Sequence, residues 1–212
     1  TVDVTDAGRT LIRVSDNGCG MSQADAVLSF SRHATSKIRQ ADDLFSLHTF
    51  GFRGEALPSI AAIAQVTMQT CTHDSDTGVR VSIEGGEDLQ SEPCVCDPGT
   101  VISVRNLFYN VPARRKFLKS NQTEFTHIMT EMERVSLAHP EIAFGLSHQG
   151  QQVLQLAPSA IRPRIVAIFG KKMNQVLLPV EVETPLVRVS GFVSNLENSR
   201  ARGSQQFFFV NG

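Results

Sequence analysis

Two short blocks of this chain combine residue types that do chemistry. Asp16-Asn17-Gly18-Cys19-Gly20-Met21 sets one acid in a glycine turn, and Gly51-Phe52-Arg53-Gly54-Glu55-Ala56-Leu57 places a second glycine pair before an apolar stretch. An ionised carboxylate only accepts hydrogen bonds, so Asp16 buried at the floor of a pocket takes an exocyclic amino group and rejects a ring carbonyl. Gly18 and Gly20 lack Cβ and let the backbone lie flat against a ring. Beyond Gly54, Pro58 falls in the first turn of an alanine-rich helix, where unpaired amides can face phosphate oxygens. Together the blocks predict an adenine nucleotide held at both ends. Taken singly, D-N-G is also an ordinary strand-exit turn, and Glu55 offsets a helix dipole.

Other nucleotide and metal chemistries are excluded by inspection. The sequence has no G-x-x-x-x-G-K-[ST], no G-x-G-x-x-G after a strand, no H-E-x-x-H and no paired C-x-x-C. Cys94-Val95-Cys96 has the wrong spacing for a zinc ribbon, so the four cysteines read as reduced thiols. With no signal-peptide pattern and no membrane-length apolar run, the expectation is a soluble, cytoplasmic protein without a membrane partner.

The elements that must position these residues follow from periodicity. Thr10 to Val14 alternates as a strand, Ser22 caps a helix through Phe30, and Gln65 to Cys71, Val79 to Ile83 and Thr100 to Arg105 continue a sheet. A long amphipathic helix runs from about Gln122 to Ala138 and ends before His139-Pro140. Ile142 to Ser147 and Gln152 to Leu156 form a hairpin. The pattern restarts near Ala157-Pro158-Ser159 with a short helix through Phe169 and strands near Val176 to Val182, Leu186 to Val193 and Gln206 to Val210. The formal net charge of -1 hides an asymmetry: residues 1–100 sum to -7 and residues 101–212 to +6. The basic half is the place for a polyanion.

The two glycine blocks, with Arg32-His33-Ala34-Thr35-Ser36-Lys37 and Leu107-Phe108-Tyr109-Asn110-Val111-Pro112-Ala113-Arg114-Arg115-Lys116-Phe117-Leu118, resemble the MutL family of DNA mismatch repair proteins, members of the GHKL ATPases. The resemblance implies an α+β chain. Residues 1–157 form a GHKL (Bergerat) sandwich of mixed sheet and helices lacking its first helix, and residues 158–212 a partial ribosomal protein S5 domain 2-like domain.

It also implies ATP with magnesium as the ligand of the intact protein. Asp16, Gly18 and Gly20 face the adenine, and Thr100 supports the Asp16 carboxylate through its hydroxyl. Thr35, Ser36 and Lys37, ranked above Arg32, lie in a lid over the triphosphate. Gly51, Phe52, Arg53, Gly54, Glu55, Ala56 and Leu57 surround the phosphates, and His33 is a packing or lid residue. For any one lid residue, a turn cap or a solvated cation is an equal alternative.

Hydrolysis in these ATPases needs an upstream helix bearing Glu-x-x-x-Asn, which supplies the general base and the magnesium ligand. No glutamate of this sequence has asparagine four positions on. The general base alone contributes typically ~10²- to 10⁴-fold, so the 212 residues are expected to bind ATP without turning it over. The missing helix should also leave apolar sheet surface wet, at about 25 cal/mol per Å².

DNA is the implied polyanion, held through its backbone by Arg162, Arg164, Lys171, Lys172, Arg188, Arg200 and Arg202. A second cluster, Arg114, Arg115, Lys116 and Lys119, equally reads as a basic helix turn packed by Phe117 and Leu118, with cations paired to the acidic half. Aromatics are not interleaved with the cations as a single-strand platform requires. The intact family implies ATP-dependent N-terminal dimerisation and partnership with the mismatch-recognition protein MutS and downstream repair factors. A gyrase B-like topoisomerase region and a binding module without a nucleotide cycle are the competing readings.

Overall fold

The computed structural model describes residues 1–34, 54–195, 197 and 205–210. Thr35, Ser36, Lys37, Gly51, Phe52, Arg53, Arg200 and Arg202 lie outside them. The chain divides into two compact units, residues 1–127 with 146–153 and residues 128–145 with 154–212. Among the described residues no helix is long and apolar enough to cross a membrane.

The first unit is built on a mixed sheet. Its strands are β1 (Val2–Thr5), β2 (Leu11–Asp16), β3 (Gln65–Cys71), β4 (Gly78–Glu84), β5 (Glu87–Cys94), β6 (Gly99–Arg105), β7 (Phe144–His148) and β8 (Gln151–Leu156). They stand in the order β5-β4-β3-β6-β2-β1-β7-β8. The registers from β5 to β1 are antiparallel, and β1 runs parallel to β7.

Strand alternation sorts side chains onto two faces. Val66, Met68, Val79, Val81, Ile83 and Val104 point into a core shared with Ala26, Phe30, Ala61 and Ala64, on or beside helices α1 (Gln23–Leu28) and α2 (Ala56–Ala61). Ser22 caps α1 as its sequence predicts, accepting the Asp25 amide at 3.2 Å. The other face is polar: Arg13 Nε donates to Ser103 Oγ at 3.3 Å, and Arg80 pairs with Glu92 at 3.0 Å. One apolar and one more polar face is common in an antiparallel sheet.

Two elements depart from the sequence reading. β5 was not foreseen, because Glu-Asp-Leu-Gln-Ser-Glu-Pro-Cys has little strand propensity. At the sheet edge its polar side chains stay in water, and Pro93 need not donate to a second neighbour. Gln206 to Val210, expected as a strand, is not one, and no strand among the described residues pairs with it.

Helices α3 (Pro112–Phe117) and α4 (Asn121–Ala138) follow the sheet, and residues of α4 belong to both units. The second unit adds α5 (Ile161–Phe169), α6 (Met173–Val176) and an antiparallel hairpin of β9 (Leu177–Glu183) and β10 (Arg188–Ser194).

Candidate nucleotide site

The ends of three adjacent strands bring the site together. Asp16 on β2 stands opposite Thr100 on β6, and Thr100 stands opposite Thr70 on β3. Directly opposed residues of antiparallel strands share a face, so the three side chains form one row on the core side of the sheet. The apolar row Val66, Met68 ends in the fully buried hydroxyl of Thr70.

That hydroxyl holds the turn beside Asp16. Thr70 Oγ1 accepts the Met21 amide at 2.9 Å, donates to the Gly99 carbonyl at 2.9 Å and lies 3.0 Å from the buried Thr100 Oγ1. With its own proton given to Gly99, Thr70 takes the proton of Thr100. Thr100 therefore braces Thr70, not the Asp16 carboxylate as the resemblance implied. Thr70 was missed in the sequence, where its only signal is a hydroxyl in a row otherwise apolar.

Asp16 itself is exposed, which corrects the expected buried floor. The cause is local. Val14, two residues earlier on the same face, is 43% exposed, whereas Met68 and Val81 under the helices are fully covered. Among the described residues nothing packs over the β2 end of that face. Asp16 Oδ1 accepts the Gly18 amide at 2.9 Å, an Asx turn that fixes the carboxylate. Oδ2 has no partner among the described residues and is left to accept an incoming N–H.

The glycines are required by space. Gly20 has φ +67°, and a Cβ there would meet the Cys71 carbonyl oxygen at 1.9 Å. Gly54 has φ +61°, and its Cβ would meet the Ala34 carbonyl oxygen at 2.1 Å. Gly18 is held from the other side, its carbonyl 3.0 Å from His73 Nε2.

The phosphate end is shorter than expected. α2 has only six residues, starts at Ala56 and carries Pro58 in its first turn, while Leu57 packs on the core. Glu55 at the N-cap makes no capping bond and pairs with His33 Nδ1 at 3.3 Å, an exposed contact. Among the described residues no cluster of three or more His, Cys, Asp or Glu could hold a metal. Cys19, Cys71, Cys94 and Cys96 are free thiols, and burial pushes Cys96 up to about 11.

The basic residues assigned to DNA separate into different environments. Arg164 is fully buried, and its Nη2 donates to the carbonyls of Pro140, Ile142 and Ala157 at 2.6, 2.7 and 3.1 Å. Its guanidinium lies 5.7 Å from the centre of the Phe144 ring. It is a structural tie and not the phosphate contact its charge suggested, since a fully buried guanidinium whose Nη2 is committed to three carbonyls inside the fold reaches no polyanion. Arg162 is half-buried, bonded to the side chain and carbonyl of Asn174 at 3.2 and 2.9 Å. Arg188 is exposed and pairs with Glu181 at 2.9 Å. Lys171 and Lys172 are exposed.

Comparison with known proteins gives a consistent family. A family model described as DNA mismatch repair protein, C-terminal domain, matches residues 165–212. The DNA mismatch repair protein MutL of Porphyromonas gingivalis is 53% identical over 211 residues, covering 100% of this chain and 34% of that protein. MutL of Phocaeicola vulgatus is 55% identical over 209 residues, covering 99% and 34%. The chain thus spans about a third of the length of the curated relatives it matches. Among solved structures, the Aquifex aeolicus MutL ATPase domain complexed with ADP aligns with a TM-score of 0.69 at 25% identity, over 93% of this chain and 69% of that one. Identity of this order along the whole chain, on a sheet-and-helix frame shared with those ATPase domains, means that the chain belongs to the MutL family of DNA mismatch repair proteins and has the α+β fold of their GHKL ATPase region.

Proposed function

We propose that this chain binds ATP through Asp16, Gly18, Gly20, Gly54 and the Thr70–Thr100 pair, as part of a mismatch repair protein that uses nucleotide binding to change its assembly. The observation that carries the reading is the fixed acceptor at the end of β2. Asp16 Oδ1 is tied to the Gly18 amide while Oδ2 is left for a donor, beside a turn clasped on the Cys71 carbonyl. The carboxylate orients an exocyclic amino group, and the glycine turn leaves room for a flat ring. Thr35, Ser36, Lys37, Gly51, Phe52 and Arg53 are proposed on the phosphate side, with Glu55, Ala56 and Leu57 as the start of α2.

The relative that binds ADP supports a nucleotide for this chain as well. Hydrolysis, dimerisation, MutS partnership and a cytoplasmic location are proposed for the whole protein. The 212 residues contain no Glu-x-x-x-Asn, so phosphate release from them is expected at background. A boundary near residues 157 and 158 is supported by the grouping of 154–212 in one unit, which also draws in 128–145. DNA contact within that unit is assigned to Lys171 and Lys172, because Arg162 and Arg188 are engaged and Arg164 is internal.

Fluorescent ATP titration tests the reading. Asp16→Asn replaces an acceptor-only oxygen by an amide that can present its NH₂, and removes a charge-assisted bond of about 1.5–3 kcal/mol, so affinity should fall roughly ten- to hundredfold. Undiminished binding by Asp16→Asn would remove the site. A supercoiling assay on the full-length protein separates the topoisomerase reading.

A further inference from the structure

The six-residue helix α3 is presented by an unusual piece of backbone. Asn106 and Phe108, just before it, have φ of +53° and +63°. A bulky aromatic rarely adopts that region, and such outliers persist only where surrounding bonds impose them. Three bonds impose it here: the Leu107 amide donates to the Arg9 carbonyl at 3.1 Å, the Phe108 amide to Ile63 O at 2.7 Å, and Asn110 Nδ2 to Ala62 O at 3.0 Å. At the far end the Arg9 guanidinium donates to the Lys119 carbonyl, and the Lys119 amide to Glu124 Oε1 at 2.7 Å.

What this frame holds out is a set of groups with no use inside the fold. Arg114, Arg115, Lys116 and Lys119 are exposed. None of their side chains makes an ion pair or hydrogen bond among the described residues. Phe117 is 82% exposed. Among the described residues, therefore, Phe117 does not pack the helix and the cations do not pair with the acidic half. A strained, doubly anchored turn displays cations around one bare aromatic ring, Phe117, which corrects the expectation that no aromatic stands among the cations.

We infer that α3 is a contact site for single-stranded DNA, with Arg114, Arg115, Lys116 and Lys119 on the phosphates and Phe117 stacked on an unpaired base. The inference rests on the DNA reading above and moves its main contact from Lys171 and Lys172 to α3. Cations alone bind duplex and single strand alike. The aromatic ring decides between them, because a duplex hides the faces of its bases and a single strand offers them.

The test uses labelled oligonucleotides, single-stranded and duplex, with the 212-residue chain at a series of salt concentrations and far-UV circular dichroism as a check on folding. The unsubstituted chain should hold single strand with an affinity falling at a log–log slope of about −0.7 per phosphate neutralised. Phe117→Ala should lose about tenfold on single strand and little on duplex, with Phe117→Tyr restoring the difference. The triple variant Arg114→Ala, Arg115→Ala, Lys116→Ala should lose more than tenfold on both. Equal losses on both DNAs for Phe117→Ala overturn the stacking contact. Binding indifferent to the triple variant but lost in Lys171→Ala, Lys172→Ala overturns the site and leaves the DNA reading standing. Failure of the unsubstituted chain to hold either DNA at low salt overturns both, as does retention only by phosphatidylglycerol vesicles.

Discussion

At Gly20 the chain has no room for a methyl group. Its left-handed φ costs any other residue about 1–3 kcal/mol in strain, and a Cβ would also collide with the Cys71 carbonyl at 1.9 Å. Gly20→Ala should therefore lower the urea midpoint by more than an ordinary glycine-to-alanine change, and ATP binding should fall with it. Arg164 makes a second residue-scale prediction. Burial pulls its pKa below the ordinary arginine value, Glu141 opposes that pull, and three carbonyls depend on the guanidinium. Arg164→Met should cost about 3 kcal/mol or more in chemical denaturation. Arg164→Lys should recover part of it, because the three carbonyls converge on the single nitrogen Nη2 and an ammonium carries three N–H donors to offer them. The sequence could not separate Arg164 from Arg162, two positions earlier and also basic. Burial of a cation is decided by carbonyls at Pro140, Ile142 and Ala157, which no local pattern reveals.

At the scale of elements, alternation was the reliable guide. Gln65–Cys71 reads as a strand because Val66, Met68 and Thr70 fall on one face, and the structure gives the same bounds. Ser22 and His139-Pro140 marked helix ends for the same local reason. β5 escaped because edge position, a tertiary property, replaces the apolar face that marks an inner strand. Within the candidate site, the turn at Asp16 and the need for glycine at Gly20 and Gly54 were legible from type and spacing. The exposure of Asp16 and the role of Thr70 were not, since both depend on which strands end side by side.

The loop joining β1 and β2 carries a pH prediction. Bonds from the Thr10 hydroxyl at 2.5 Å and the Gln149 amide at 3.1 Å hold the Asp6 carboxyl below the usual carboxylate range. A depressed folded pKa gives stability that is present above the unfolded value and lost as pH falls through the folded one. Asp6→Asn should flatten the fall in melting temperature below about pH 4 and change little near neutrality.

For the whole molecule, nucleotide should act as a stabiliser. A ligand that binds only the folded chain contributes about 2.7 kcal/mol at a hundredfold excess over its Kd, which for this length raises Tm by roughly 5–10 °C. The rise should be present with ATP, absent in Asp16→Asn and unaccompanied by phosphate release, a combination that separates binding from turnover in one thermal-shift series. The charge asymmetry of -7 and +6 between the two halves adds a salt dependence. Any internal attraction between them weakens as the Debye length shrinks to about 3 Å at 1 M salt, so Tm without nucleotide should be compared at matched ionic strength.

The parallel register of β1 with β7 has a consequence for the time at which this fold can exist. Val2 lies beside Leu146, and the Ser147 hydroxyl donates to Asp3 across 144 positions of sequence. On the ribosome, at about 5–20 residues per second, the hairpin of β1 and β2 would wait roughly 7–30 s for the strand that covers its outer edge. Throughout that delay the nascent chain carries an open row of amides and carbonyls, so slowing translation between residues 17 and 143 should increase its capture by chaperones or its loss to aggregation.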